Sequence, residues 1–332
     1  MEQALTFPLP AQSSHLNRKT AKEEDSQASQ IAIWKSVLDK LCEKKISWEQ
    51  IEMYLPLGSE SPSAHPLTSK VFDPNGQTLL HLAILQQQDD WVHFLGSDPQ
   101  LKQRCNKFGL TPFEFAQFLN RESHLTLLGK AGPEAQMRNL VGDSENLIKS
   151  FSYIPCSIFE TSSIFEEVLH SSFRAKEGDL IPSERLWMGV YFDKELKTAL
   201  NPRLSLRYID EEIGYGVFAE QKIPACAFVG EYTGIVREYD KKEMKDKIYC
   251  VRYNCWQTGA RKFVIDAETH GNHTRFINHS YQPNLALQAI YWRGIPRMIL
   301  ITLQEIQEGT QLTFDYGRSF WKEVNRQPRL IP

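Results

Sequence analysis

Long hydrophobic runs are missing from this sequence. Nowhere do about 18 apolar residues follow one another, so no membrane-spanning helix is expected. The opening stretch MEQALTFPLPAQSSHLNRKTAKEEDSQASQ lacks the basic-then-apolar layout of a Sec signal. The chain is therefore expected to be soluble, in cytosol or nucleus. Cysteine is sparse: Cys42, Cys105, Cys156, Cys226, Cys250 and Cys255 make up the six, with no C-x-x-C pair. That pattern argues against a disulfide framework and a cysteine-held zinc cluster. A surplus of positive charge is missing too, since 38 Lys and Arg face 41 Asp and Glu for a net −3. No global pull toward nucleic acid follows, and no sequence-specific nucleic-acid contact is expected. With 41% hydrophobic and 24% charged residues, wholesale disorder, collagen and coiled coil are excluded, and 332 residues leave room for two domains.

What is present divides the chain. Residues 1–25 are polar and aperiodic, a composition that cannot bury enough apolar surface to fold, and are expected as a flexible tail. Ile31, Trp34, Val37, Leu38 and Leu41 follow the i, i+3, i+4 rule, and Ser47 with Gln50 has capping-box spacing, so two helices are predicted over 31–55. An internal repeat follows. Residues 73–95 and 104–128 align with one constant offset that places Gly76 on Gly109, Thr78 on Thr111, Leu82 on Phe115, Ala83 on Ala116 and Leu95 on Leu128. Residues 26–131 thus form a helical module, with the helices at 31–55 capping two repeats. His81 is expected to bond backbone in the turn between repeats.

Gly132-Pro133 breaks the pattern. Residues 132–199 read as a linker segment, with a helix over Ile158–His170 and a short strand over Trp187–Tyr191. From Leu204 apolar and polar positions alternate, and LSLRYID, AFVGEYTGIV, KIYCVRY, KFVID, LALQAIYW, PRMILITL and QLTFDY read as seven strands. The fold class is α+β multidomain: a helical N-terminal module, a mainly-β domain over 200–322, and a tail over 323–332. The Lys241-Lys242 and Lys245-Asp-Lys247 runs read as a solvated face.

Four clusters in the β region carry chemistry. Gly214-Tyr215-Gly216 alone reads as a tight turn. Glu231-Tyr232-Thr233-Gly234 alone reads as a strand ending in a bulge. Arg275-Phe276-Ile277-Asn278-His279-Ser280 with Pro283-Asn284 sets three polar side chains in a row, which is costly to bury without a partner. Leu312-Thr313-Phe314-Asp315-Tyr316-Gly317 puts Phe314 and Tyr316 on one strand face.

In this order the clusters resemble the SET-domain protein lysine methyltransferases, over about residues 200–321. The repeat, with its Gly, Thr-Pro and Ala positions, resembles the ankyrin repeat. The pairing of the two looks like chromatin methyltransferases or the secreted SET effectors of intracellular bacteria, the latter reaching a host cell by a non-Sec route. The resemblance implies a knot-like crossing and S-adenosylmethionine as donor. Cofactor contacts would fall on Gly214, Tyr215, Gly216, Tyr232, Arg275, Asn278 and His279. Tyr316 would be the catalytic tyrosine, with Tyr249 a further channel tyrosine and Phe314 setting how many methyls are added, here two or three. Tyr281 stands where many chromatin enzymes have cysteine, so no metal is expected, and Phe320-Trp321 would wall the lysine channel instead. The implied substrate is an exposed lysine of a protein, a histone tail being favoured, with a protein partner at the repeats. A non-histone target and an inactive binding scaffold are the alternatives.

Overall fold

The computed structural model describes residues 14–57, 62–129, 140–142, 151–242, 247–253, 256 and 261–324. Residues 1–13, Gly132-Pro133, Lys245, Cys255 and 325–332 lie outside the described residues. Among the described residues no helix is long and apolar enough to cross a membrane.

The N-terminal half is helical: α1 (Ser14–Cys42), α2 (Trp48–Glu52), α3 (Pro66–Ser69), α4 (Leu79–Leu85), α5 (Asp89–Gly96), α6 (Pro99–Lys102), α7 (Pro112–Phe118) and α8 (Glu122–Leu128). Helix α1 corrects the expected tail, because residues 14–25 are helical. Extending an existing helix adds one hydrogen bond per residue fixed and needs no new nucleus. The Lys-, Glu-, Gln- and Ala-rich stretch therefore joins a helix anchored by the buried Leu38 and Leu41. The predicted Ser47–Gln50 capping box is present.

The repeat is structural as well as textual. Thr78 caps α4 in a box with His81, and Thr111 caps α7 in a box with Glu114. Gly76 and Gly109 both take positive φ in the preceding turns. His81 links the units as expected, with Nε2 3.1 Å from the Leu110 carbonyl oxygen and Nδ1 accepting from the Thr78 N–H at 3.2 Å.

The second half holds α9 (Ser162–Glu177), α10 (Ser183–Tyr191), α11 (Asp193–Thr198) and α12 (Arg318–Glu323) around short strands. One sheet runs β1 (Leu140–Gly142), β4 (Leu204–Asp210), β5 (Gly214–Ala219). A small one pairs β2 (Ser152–Tyr153) with β10 (His270–Gly271). A third runs β3 (Ile158–Phe159), β7 (Ile235–Glu238), β9 (Phe263–Asp266), β8 (Cys250–Tyr253). The largest runs β11 (Asn278–His279), β14 (Thr313–Phe314), β12 (Leu285–Trp292), β13 (Ile295–Thr302), β6 (Phe228–Glu231).

Three expectations change here. The AFVGEYTGIV segment is two strands, since β6 pairs with β13 and β7 with β9 after the chain crosses between sheets at 232–234. The helix foreseen from Ile158 starts at Ser162, after a two-residue strand. Trp187–Tyr191 is the end of helix α10, not a strand. Five apolar residues are too few to set a period, and the deciding contact lies elsewhere. A Cβ at Gly189 would sit 1.8 Å from the Tyr291 carbonyl oxygen, so the helix presses backbone to backbone on β12. Trp187, Val190 and Tyr191 are left 60%, 78% and 61% exposed.

The expected linker is a wedge over its described part. Helix α9 buries Ile164, Phe165, Val168 and Leu169, and the Phe165 ring meets Phe115 of the second repeat edge-on at 4.9 Å. The β12–β13 turn, with Arg293 and Gly294 at φ 49° and 83°, has the positive dihedrals of a type I′ hairpin. Its tip enters the repeat module. Arg293 donates to the Gly109 carbonyl at 3.0 Å, to Glu114 at 2.9 Å and to Asp193 at 3.1 Å. One hydrophobic cluster runs from Leu38 to Ile299. Inside it, Arg297 and Glu231, 2% and 5% exposed, form a two-bond ion pair. Removing one partner of such a pair costs about 3–5 kcal/mol.

Candidate active site

The chemistry-bearing segments converge because β11 lies parallel to β14, with Asn278 opposite Thr313 and His279 opposite Phe314. Strand β5 joins them from the other sheet: Asn278 donates its side-chain N–H to the Tyr215 carbonyl at 3.0 Å. The Gly214-Tyr215-Gly216 segment thus opens a strand, not the turn expected of it, with Gly214 alone of the three at positive φ. A cleft of about 980 Å³ runs along this junction. Its walls include Gly214, Tyr215, Tyr232, Tyr249, Arg275, Asn278, His279, Phe314, Tyr316, Phe320 and Trp321. Every expected site residue except Gly216 lines it, and Gly216 lies behind Asn278, whose Nδ2 would be 3.2 Å from a Cβ there.

His279 is 4% exposed, and its Nδ1 accepts from the Tyr316 N–H at 3.2 Å. That contact puts the ring proton on Nε2. Burial pushes the imidazole pKa down while Asp315 pulls it up, and the net direction is down, so the ring is neutral near pH 7. Tyr316 donates its hydroxyl to the Ile277 carbonyl at 2.9 Å, and burial holds its pKa above the usual phenol value. Tyr232 is also buried, donates to the Tyr249 carbonyl at 2.9 Å and has its pKa raised well up by burial. Both phenols are neutral donors.

Phe314 is buried 4.8 Å from the Tyr316 ring. Helix α12 brings Phe320 edge-on to Tyr316 at 4.9 Å and Trp321 stacked on it at 5.8 Å. Phe320 and Trp321, expected as channel walls, thus both pack on Tyr316. The Arg275 guanidinium lies over Tyr249, 3.9 Å from the ring centre, and donates to the Glu268 carbonyl at 3.0 Å. Among the described residues, three buried polar atoms of the walls have no protein partner: His279 Nε2, Arg275 Nε and Trp321 Nε1. All are donors in these states, so the cleft offers hydrogen bonds to an acceptor-rich ligand.

The sequence reading missed Leu287 and Met298, which reach the cleft from the central hairpin, and Arg252 with Glu323 at its rim. Glu323 fell in the expected tail yet ends α12. Strand alternation could have flagged Met298, but no sequence signal connects Arg252 to Glu323.

Residues 214–317 match the SET domain family model. They form a SET domain. Among relatives, histone-lysine N-methyltransferase 2B of Homo sapiens is 36% identical over 242 residues, 72% of this chain and 9% of that protein. Histone-lysine N-methyltransferase EHMT1 of Mus musculus is 32% identical over 133 residues, 39% of this chain and 10% of that protein. The chain spans about a tenth of the length of these two curated relatives. A crystal structure of KRYPTONITE in complex with mCHH DNA, H3(1-15) peptide and SAH shares 31% identity at a TM-score of 0.30, covering 35% of this chain and 23% of that one. In the SET domain matched here, the two ends of the family match, Gly214 and Gly317, both line the cleft.

Proposed function

We propose that this chain is an S-adenosylmethionine-dependent protein lysine N-methyltransferase that adds two or three methyl groups to a histone-tail lysine. The observation that carries the reading is the convergence of Asn278, His279 and Tyr316 on one cleft through the β11–β14 pairing. The unpartnered donors at His279, Arg275 and Trp321 suit a ligand with carboxylate and purine acceptors. When bound, S-adenosylmethionine supplies a methyl group on a positively charged sulfur.

The chain's own residues would do the rest. Gly214, Tyr215, Asn278 and His279 would hold the donor at one end of the cleft. Tyr249, Phe314, Tyr316 and Phe320 would wall the other end as an aromatic channel for the lysine side chain. An ammonium enters such a channel at a desolvation cost, which lowers its pKa from about 10.4 and favours the free amine. Alignment of the two reacting groups can supply about 7–11 kcal/mol of barrier reduction. Tyr316, fixed by its bond to Ile277, would orient the amine. Phe314 offers no hydroxyl to restrain an amine that already carries methyl groups.

The repeats fit the ankyrin class in their matched capping boxes and turn glycines. Part of their turn face is taken by Arg293 of the SET domain, so a protein partner would use the remaining faces. The reading of an effector delivered into a host cell rests on the pairing of such repeats with this domain and on the lack of a cysteine cluster. The test is mass spectrometry of nucleosomes and free histones incubated with the protein and S-adenosylmethionine, beside a Tyr316→Phe control. Methyl-lysine lost in the control supports the reading. Donor binding without histone methylation would redirect it to a non-histone target, and binding with no turnover on any protein to a scaffold.

A further inference from the structure

Helix α12 has little to hold it by itself. It is six residues long, buries none of them and has no side-chain cap at its N-terminus. Isolated helices that short do not persist in water. It also follows Gly317, whose φ of +83° is a conformation that residues with a Cβ avoid. The chain turns sharply there between Tyr316 and the two aromatic residues that wall the channel.

Two sets of contacts fasten it. Near its start, Phe320 and Trp321 pack on Tyr316, and Trp321 meets His279 edge-on at 5.0 Å. At its end, the Glu323 carboxylate pairs with the Arg252 guanidinium and accepts from the Tyr239 hydroxyl at 3.5 Å. The guanidinium in turn lies 4.3 Å over the Tyr239 ring. Arg252 belongs to β8, the edge strand of its sheet, whose Cys250 and Val251 line the same cleft as α12. The pair therefore ties the end of α12 to a strand that lines the cleft with it.

We infer that Arg252 and Glu323 are a positioning pair that holds the aromatic helix closed over the lysine channel and so sets how tightly a protein substrate is gripped. The inference rests on the lysine-methyltransferase reading. The two side chains are 47% and 30% exposed, so the bond is weak and screened by salt. A weak latch suits a door that opens at each turnover. It holds Phe320 and Trp321 against Tyr316 without touching the reacting atoms.

The test uses the full chain with Arg252→Glu, Glu323→Arg, the double exchange and the neutral Glu323→Gln. Each single change is expected to raise the KM for a histone peptide roughly three- to fivefold. Amide hydrogen exchange over residues 316–324 should quicken in the singles. The double exchange should restore both readouts. Singles that leave KM and exchange unchanged, or a double that rescues neither, would overturn the latch. Should a charge reversal fail to fold, Glu323→Gln gives the same two readouts. Hydrogen exchange reports on the latch even if no peptide is methylated, which separates its failure from failure of the enzymatic reading.

Discussion

The side-chain amide of Asn278 reaches across two sheets to the backbone carbonyl of Tyr215, 3.0 Å away. This single bond joins the strand that opens the SET domain to the Asn-His-Ser signature more than sixty residues later. Losing it frees a carbonyl on the cleft wall and loosens two segments proposed to hold the donor. Asn278→Ala is expected to weaken S-adenosylmethionine binding by about 1–2 kcal/mol, roughly five- to thirtyfold. Titration calorimetry checks this, and unchanged affinity would remove Asn278 from the binding wall.

Tyr316→Phe keeps the ring that stacks on Trp321 and deletes the hydroxyl bonded to Ile277. Folding should suffer by about 1 kcal/mol. Turnover should fall by roughly 10²-fold, as when a pre-positioned polar group is lost from an active site, while S-adenosylmethionine affinity is kept. Initial rates with saturating peptide test this split.

Phe314→Tyr adds a hydroxyl beside Tyr316, 4.8 Å between ring centres. Product should shift toward monomethyl-lysine, read as the mass distribution of one peptide at completion. The same spread of methyl states in both proteins would show that Phe314 does not set the product.

Acid should unfold the protein through two buried histidines. Burial holds the pKa of both His81 and His273 down at about 4, against 6.5 when exposed. The unfolded chain then takes up protons before the folded one does, so their contribution to stability is complete above pH 6.5 and is lost as pH falls from 6.5 toward 4. Tm measured by calorimetry should drop across that window. A His81→Gln protein, less stable at pH 7, should show a shallower drop.

Arg293→Ala removes the donor shared by Gly109, Glu114 and Asp193 and leaves Glu114, 8% exposed, without its cation. A loss of about 1–3 kcal/mol is expected, visible as a lower urea midpoint. Both halves should unfold in one transition, because they share a core.

Much of the site was legible because its residues come in short consecutive runs. Asn278 and His279 are neighbours, and Phe314 and Tyr316 share a strand face, so local order carries spatial order. The repeat was legible for the same reason, through Thr78 and Thr111 and their glycines. Residues tied across long separations were not. Arg293 and Glu114 meet 179 positions apart, and Arg252 and Glu323 meet 71 apart. Neither charge differs in sequence from the solvated charges around it. The strand foreseen at Trp187–Tyr191 failed because a carbonyl of β12, distant in sequence, selects the glycine in its middle. The helical state of residues 14–25 was hidden because propensity that is too weak to start a helix is enough to prolong one.

The hairpin tip lodged between the second repeat and α11 also bears on how such a chain can be cut and rejoined. A SET domain lifted out at Leu204 would leave with its Arg293 finger bare and Trp292 without the Phe118 ring it now touches. The repeats, in turn, would lose Trp292 and Arg297 from the Phe118 ring. Neither piece is a cassette to be traded whole; a graft that keeps the catalytic half soluble has to bring α7 and α9 along with it.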